Sequence, residues 1–300
     1  MNWQQQIIQL IKEHYKAVGI KYTATDNVQR CLIDFMNLEM KLIKPVPRMI
    51  FLSKEFKSRR IPVANRQALS FIENKIRTGV DVNYHKNKGT FDPTYNDLLL
   101  NDWVIHHLHL SDTKSQKNQR FYDRTKYVLF VVFNTTQSFF IDIRTHGKDG
   151  EPNVFAKKEL LEIMDNNWPR ILREYHTEDV INLLHNPSDE EIDLARKKGV
   201  TFGVTEINGR AIINPGLGIT TSGNNIHVVK RANAILRYVQ ESLMEIDNDI
   251  EGIKKALSEK AGYEIKELDV QIRLRDTWPF FYVYENNSDY TIQKNYDTNE

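Results

Sequence analysis

Two apolar segments joined by a four-residue turn lie near the middle of this 300-residue sequence. The first, KYVLFVVF (126–133), is apolar on both faces, as expected for a central strand of a covered sheet. The second, SFFIDIR (138–144), alternates apolar and polar residues after its first positions. An Asn-containing turn, NTTQ, separates them, so the pattern predicts an antiparallel sheet. A helical period over 159–175, broken at Pro169, predicts a helix behind that sheet.

The residues that precede the sheet have a different pattern. Apolar residues recur at helical spacing over 2–18, 26–44 and 63–78, and the last of these segments ends at Gly79. Between the second and third segments, Pro45 and Pro47 bias the chain towards an extended link. We therefore expect the N-terminal part of the chain to be mainly helical.

The residues that follow the sheet mix both kinds of element. Ser188 begins a capping box, and Asn208-Gly209 is a strong signal for a hairpin turn. A long helix is expected over about 225–260, followed by two strands. The sequence thus predicts an α+β fold with three consecutive regions: a helical, basic N-terminal region 1–80, a central antiparallel-sheet domain 81–186 with a packed helix, and an α+β C-terminal domain 187–300 with a long helix.

Composition narrows the class of protein. The 40% hydrophobic and 27% charged fractions are those of an ordinary globular chain. No run approaches the roughly 18 apolar residues of a membrane span. A single cysteine, Cys31, excludes a disulfide framework and a cysteine-based zinc site. The N-terminal residues lack the pattern of a secretory signal, so we expect a cytoplasmic protein with no membrane partner.

The formal net charge of +1 hides an uneven distribution. Residues 41–90 contain twelve Lys and Arg against three acids, a net charge of +9, whereas 151–300 contain 18 basic and 26 acidic residues, a net charge of −8. A basic segment of this kind suggests a polyanion partner, and the acidic C-terminal half could bind a protein partner or inhibitor. The residues expected to bind nucleic acid, with RNA favoured, are Lys54, Lys57, Arg59, Arg60 and Arg66. A solvated basic helix face would explain the same charges.

Four of the nine histidines fall between residues 106 and 146. Alternate residues of a strand share a face, so His107 and His109 should point the same way. On the partner strand, Asp142, Arg144 and, if the strand continues, His146 should share a face as well. These side chains could form one compact polar site, and the alternative is that the histidines are structural or surface residues.

Two chemistries fit such a site. In the first, with no cofactor, one imidazole deprotonates a ribose 2′-hydroxyl, another protonates the leaving 5′-oxygen, and arginine stabilises the phosphate charge. Histidine suits both roles because its ordinary pKa lies near neutrality. In the second, His107 and His109 bind a divalent metal ion, with Asp142 or His146 as the third ligand.

The order of segments around the histidines resembles the core sheet of the RelE, ParE and HigB toxins. A polar strand, WVIHHLHL, is followed by a polar loop that ends at Arg124, by the apolar strand YVLFVVF, and by the strand FFIDI, which leads to His146. The resemblance covers residues 98–150. RelE and HigB members are metal-independent ribonucleases that cut messenger RNA, so the resemblance implies such an activity here.

Residue roles follow from the resemblance by position. Arg124 would match the arginine before the apolar strand, a phosphate contact. His107 and His109 would lie on the strand that carries catalytic side chains, and His146 would lie at the basic end of the last strand. The chain departs from these small toxins in its size, and only Lys148 stands where they carry paired lysines.

We therefore expect a nucleic-acid-cleaving enzyme, a ribonuclease of the toxin or phage-defence type. In this hypothesis His107 and His109 are the acid and base, Asp142 orients an imidazole, and His146 assists. Arg124 and Arg144 would stabilise the phosphate. Two alternatives stay open: a metal-dependent nuclease or hydrolase that uses His107, His109 and Asp142 as ligands, and a non-enzymatic regulatory subunit that binds nucleic acid or protein.

Overall fold

The computed structural model describes residues 2–177 and 183–292. Its helices in chain order are α1 (Trp3–Ala17), α2 (Val28–Lys41), α3 (Lys54–Ser58), α4 (Val63–Thr78), α5 (Leu98–Trp103), α6 (Glu159–Asn167), α7 (Pro169–Leu172), α8 (Asp189–Lys197), α9 (Ile226–Asn248) and α10 (Ile250–Ala261). Its strands are β1 (Met49–Leu52), β2 (His106–His109), β3 (Tyr127–Phe133), β4 (Gln137–Thr145), β5 (Val204–Ile207), β6 (Arg210–Ile213), β7 (Val270–Leu274), β8 (Phe281–Glu285) and β9 (Tyr290–Ile292). Helices combine with antiparallel and mixed sheets, which confirms the predicted α+β class.

The central sheet has four strands in the order β1-β4-β3-β2. Strands β2, β3 and β4 are antiparallel neighbours, which confirms the hairpin predicted from the sequence. The first strand, β1, pairs with β4 in parallel, so the sheet is mixed and not purely antiparallel as expected. The sequence analysis missed β1 because its four residues directly follow the proline-rich link and are too few to show an alternating pattern.

Both faces of the central sheet are covered. Alternate residues of β3 point to opposite faces, so Val128 and Phe130 belong to one apolar cluster, and Leu129 and Val131 to another. Helix α6 contributes to the first cluster and helix α4 to the second. This packing explains why the KYVLFVVF segment is apolar throughout.

Helix α3 is fixed to the central sheet by Ser53. The Ser53 hydroxyl accepts a hydrogen bond of 2.8 Å from the backbone N–H of Phe56, which caps the helix, and donates one of 2.6 Å to the carbonyl of Ile141. Helix α4 ends where the sequence predicted, at Gly79, whose φ of 74° lies in the left-handed region that glycine favours. Together these contacts place the basic segment beside β4.

Contacts divide the chain into two compact units. Their boundaries differ from those of the three consecutive regions expected from the sequence. One unit comprises residues 37–227, and the other combines 1–36 with 228–300. The second unit joins the chain ends because α1 packs on β7, where the Gln6 side chain accepts a hydrogen bond of 3.1 Å from the backbone N–H of Ile272. Sequence patterns describe local elements, so they did not indicate this pairing of distant segments.

Three further predictions from the C-terminal half are tested by the structure. The Asn208-Gly209 turn joins β5 to β6, and Ser188 forms its capping box with Glu191, as predicted. The long helix expected over 225–260 is instead two helices, because the backbone of Asp249 (φ −143°, ψ 57°) is not helical and its side chain caps α10 through the N–H of Gly252. Within the described ranges, none of the helices combines the length and the apolar character that a bilayer crossing needs.

Candidate active site

A cavity of about 260 Å³ lies beside β2 in the unit formed by residues 37–227. We call it the histidine cavity. Four side chains singled out from the sequence line it, and the residues around them are mainly polar or charged. The predicted members are His107, His109, Arg124 and His146, and the others are Asn87, Tyr95, Asp97, Leu98, Leu99, Phe155, Asp193, Arg196 and Lys197.

The strand register explains why these four residues meet. His109 pairs with Val128, which in turn pairs with Arg144, so neighbouring strands reach the same edge of the sheet. His146 follows β4 directly, and its backbone N–H continues the pairing with a 2.8 Å hydrogen bond to the carbonyl of Lys126. Arg124 precedes β3 by a few residues, so it lies at the same edge.

The two β2 histidines point to the same face, as the alternation predicted. Leu108 between them belongs to the cluster that packs against α4, so His107 and His109 face the opposite side. His107 is 8% exposed and His109 is 1% exposed, so neither is a surface residue. Buried polar side chains need a hydrogen-bond partner or a function that explains its absence.

A single carbonyl group orients two of the three imidazoles. The oxygen of Thr125 accepts hydrogen bonds from His109 Nδ1 at 3.1 Å and from His146 Nε2 at 3.0 Å, and the two ring centroids are 5.1 Å apart. A carbonyl can only accept, so these two nitrogens carry the protons of the neutral rings. His109 Nε2 then carries a lone pair, and this buried atom has no hydrogen-bond partner in the structure.

His107 has no such anchor. Its side chain makes no hydrogen bond to any described residue, and its Nδ1 is buried without a partner. The ring packs against Phe155 at a centroid distance of 4.9 Å. The nearby Asp97 carboxylate favours the protonated form of His107, in contrast to the positive groups around the cavity.

All three imidazoles are neutral at pH 7. Burial lowers the pKa of each, and for His109 it lowers the pKa to about 3. The positive charge of Arg124 also lowers the pKa of all three rings. An anion bound beside Arg124 would offset this charge, so anion binding would raise the pKa of the imidazoles.

Arg124 is available to bind a ligand. Its side chain is exposed, and it forms no hydrogen bond or ion pair with the part of the chain that the structure describes. An unpaired guanidinium beside three neutral imidazoles can hold a planar or tetrahedral oxyanion without first breaking another contact.

Asp142 and Arg144 do not line the histidine cavity and have other contacts than those predicted. The fully buried Asp142 carboxylate accepts hydrogen bonds of 2.9 Å from Arg59 Nε and from Arg144 Nε. Arg144 also pairs with Glu151 at 3.2 Å and with Glu159 at 2.8 Å. Asp142 therefore orients guanidinium groups and not an imidazole, and three carboxylates already balance the charge of Arg144.

The predicted nucleic-acid-binding residues lie on and around α3 and α4, away from the histidine cavity. Lys54, Lys57, Arg60 and Arg66 are exposed, whereas Arg59 is paired with Asp142. Some of the positively charged side chains of residues 41–90 are buried, so these charges do not all lie on a solvated surface. The buried Lys86, for example, donates hydrogen bonds to the carbonyl of Lys41 at 2.7 Å and to His106 Nδ1 at 3.1 Å.

Sequence reasoning missed several residues of the cavity, among them Tyr95 and Asp97. The sequence predicts a strand over 103–110, but Trp103 is the last residue of α5, which Asp97 caps through a 3.2 Å hydrogen bond from the N–H of Leu100. An Asp directly before an apolar run is the sequence signal for this helix start. Arg196 and Lys197 come from α8, whose approach to the sheet no local pattern indicates.

The alternative metal site is only partly brought together. His107, His109 and His146, one of the two expected third ligands, line the histidine cavity, whereas Asp142, the other, binds Arg59 and Arg144. Across residues 2–177 and 183–292, no group of three or more His, Cys, Asp or Glu side chains is arranged to hold a metal ion.

A larger cavity of about 710 Å³ lies on the same unit but has a different character. Its walls are largely aromatic and aliphatic, and no histidine lines it. Aromatic residues on these walls include Phe51, Trp103, Phe139, Trp168 and Tyr175. The histidine cavity is therefore the better candidate for a reaction that transfers protons.

Comparison of the chain with known protein families, with curated proteins and with solved structures finds no match. The functional argument therefore depends on the geometry of the histidine cavity.

Proposed function

We propose that the protein cleaves RNA by metal-independent acid/base catalysis in the histidine cavity. The observation that carries this proposal is the meeting of three neutral imidazoles with one unpaired arginine in a single cavity. Cleavage of RNA through its own 2′-hydroxyl needs a proton acceptor, a proton donor and a positive group at the phosphate. The cavity contains side chains for each of these roles.

His109 is assigned as the general base. Thr125 fixes the proton of its neutral ring at Nδ1, so Nε2 is free to accept a proton from a ribose 2′-hydroxyl. The low pKa of His109 keeps this nitrogen unprotonated at every pH near neutrality. A base with a low pKa is a weak base, and a bound phosphodiester strengthens it by offsetting the charge of Arg124.

His107 is assigned as the general acid. Burial lowers its pKa, so only a fraction of this ring is protonated near neutrality; Asp97 favours that protonated form, and the ring has no protein partner that would hold its proton. A protonated His107 would donate to the leaving 5′-oxygen while Arg124 stabilises the charge on the phosphate. His146 shares the Thr125 carbonyl with His109 and assists by keeping that ring in place.

We further propose that residues 98–150 act as a RelE-type ribonuclease core of a toxin or phage-defence protein. The order of elements supports this proposal. The strand β2 with its two histidines is followed by Arg124, by the apolar strand β3, and by β4, which leads directly to His146. The rest of the chain would then bind substrate or a partner.

The test is cleavage of labelled single-stranded RNA and DNA in the presence of EDTA. We expect the wild-type protein to cut RNA, and the folded variant His107→Ala/His109→Ala to lose at least about 100-fold in rate. His185→Ala is the matched control, because His185 is an exposed histidine outside the cavity. Cleavage only after addition of Mg²⁺ or Mn²⁺, or full activity of the double variant, would contradict the proposal.

A further inference from the structure

A second cavity of about 420 Å³ adjoins the histidine cavity. Asn87, Tyr95 and Arg124 line both cavities, and Lys88 and Gly89 complete the second one. We infer that the second cavity binds the nucleotide next to the scissile phosphate of a single-stranded RNA, with its base stacked on Tyr95. This inference rests on the proposed function and names the form of its substrate.

The Tyr95 ring packs against the chain and is also partly exposed, and the buried Lys41 ammonium lies 5.6 Å from the ring centroid. A Cβ added at Gly89 would lie 2.7 Å from Tyr95 Cγ and 2.9 Å from Cδ2, so the ring face packs directly on the glycine backbone. Tyr95 is nevertheless 41% exposed. A fixed, partly exposed aromatic ring of this kind is the usual stacking surface for a base of a single strand.

Two exposed cations line the second cavity together with Tyr95. Lys88 and Arg124 are both exposed, and neither forms a hydrogen bond or an ion pair with a described residue. Arg124 borders both cavities, so it can contact the scissile phosphate, and Lys88 can contact the next phosphate along the strand. Such contacts give affinity that falls with salt concentration.

Buried polar side chains hold the loop that carries Tyr95. The fully buried Lys41 ammonium donates to the carbonyls of Asp92, Gly89 and Tyr95, the last at 2.8 Å. Asn37 donates to the carbonyls of Pro93 at 2.6 Å and of Tyr95 at 3.0 Å. The stacking surface is therefore built into the fold, and binding does not first have to order it.

A stacked base on Tyr95 requires a single strand. In a duplex both faces of each base are covered by neighbouring bases, so a protein ring can stack only on a base that is unpaired and splayed out. The second cavity should accordingly discriminate against duplex RNA, whereas its contacts to the phosphates do not depend on base identity.

The test is the binding of a fluorescent single-stranded RNA in which fluorine replaces every 2′-hydroxyl, so that it cannot be cleaved. Fluorescence anisotropy with the full-length protein should show that Tyr95→Ala and Gly89→Ala each weaken binding by about 10-fold. Lys88→Gln should lower the salt dependence of log Kd by about 0.7. Tyr95→Phe keeps the ring, and Lys255→Gln changes an exposed lysine of the other unit, so both should bind like the wild type.

The outcomes separate this inference from the proposed function. Equal binding by the wild type and by Tyr95→Ala, or equal affinity for duplex RNA, would overturn the second cavity as a nucleotide site without affecting the cleavage result. Binding that depends on Tyr95 without cleavage of ordinary RNA would support the nucleotide site and contradict the proposed function. Absence of any RNA binding by the wild type would overturn both.

Discussion

The chemistry of the histidine cavity depends on the protonation of individual side chains. Burial and the charge of Arg124 keep His107, His109 and His146 neutral, while the Thr125 carbonyl decides which nitrogen of His109 carries its proton. A neutral ring in a defined tautomer can accept a proton at a known atom. The roles of base and acid are therefore separated by the surroundings of two histidines on one strand.

Replacement of Arg124 by glutamine should lower kcat for RNA cleavage by about 100-fold or more, because one positive group at the developing phosphate charge is lost. The fold should be unaffected, since Arg124 is exposed and pairs with no described residue. Arg237→Gln is the matched control, as Arg237 is exposed, does not line the cavity and is not among the residues expected to bind nucleic acid. Steady-state rates with a labelled oligonucleotide measure both, and an equal loss in the two variants would contradict the assignment.

The pH dependence of cleavage tests the acid and base roles. His109, with a pKa of about 3, is unprotonated from pH 6 to pH 8, so it causes no loss of rate on the acid side. The protonated fraction of His107 increases as the pH falls, because burial lowers its pKa below its ordinary value. We therefore expect kcat/KM to increase by up to about 10-fold per pH unit from pH 8 to pH 6. A decrease over this range would show that the assigned base is wrong.

At the scale of elements, buried ion pairs fix the end of β4. Asp142 forms ion pairs with Arg59, the residue after α3, and with Arg144 of β4. Arg144 also pairs with Glu159 of α6. These pairs link two helices to the strand that leads into His146. They explain why two residues predicted to be catalytic are charged, buried and yet outside the cavity.

Asp142→Asn should lower the free energy of unfolding by about 3 kcal/mol, because it leaves the buried Arg144 guanidinium without its fully buried carboxylate partner. Urea unfolding measures this loss, with Asp112→Asn at an exposed site as the control. Asp142 does not touch the cavity, so the folded variant should still cleave RNA. Unchanged stability together with lost cleavage would instead give Asp142 a direct role in the reaction.

At the scale of the whole molecule, the candidate site lies within one of the two compact units. All residues that line the histidine cavity fall within 37–227, and the chain ends together form the other unit. The larger unit buries several histidines in neutral form, including His85, which stacks on Tyr122 at a centroid distance of 3.9 Å. Its stability therefore depends on pH.

Unfolding measured at pH 7.5 and pH 5.0 should show a large loss of stability at the lower pH. Burial lowers the pKa of His85 and of His109 to about 3, compared with 6.5 in the unfolded chain. Between these values the unfolded chain binds more protons, so the stabilisation is complete above pH 6.5 and is lost as the pH falls towards 3. Each histidine should contribute a loss of about 2 kcal/mol at pH 5. Equal urea midpoints at the two pH values would contradict the buried neutral state.

Most local elements and the core strands of the sheet follow from patterns of neighbouring residues. Periodicity and turn residues predicted α1, α4, the β3–β4 hairpin and the Asn208-Gly209 turn, because these elements depend on neighbouring residues. Strand alternation also placed His107 and His109 on one face. The short β1 and the break at Asp249 escaped prediction, because four residues show no period and a helix can end without proline or glycine.

Which polar residues share a site depends on contacts between distant segments of the chain. His146 and Arg124 join the β2 histidines through strand register, and Tyr95 and Asp97 join them from a separate loop. Asp142 and Arg144 lie on the predicted strand, yet Asp142 pairs with Arg59 and Arg144 pairs with Glu159, outside the cavity. A charged residue in a strand is compatible with either role, because its partner comes from a distant segment that local patterns do not specify.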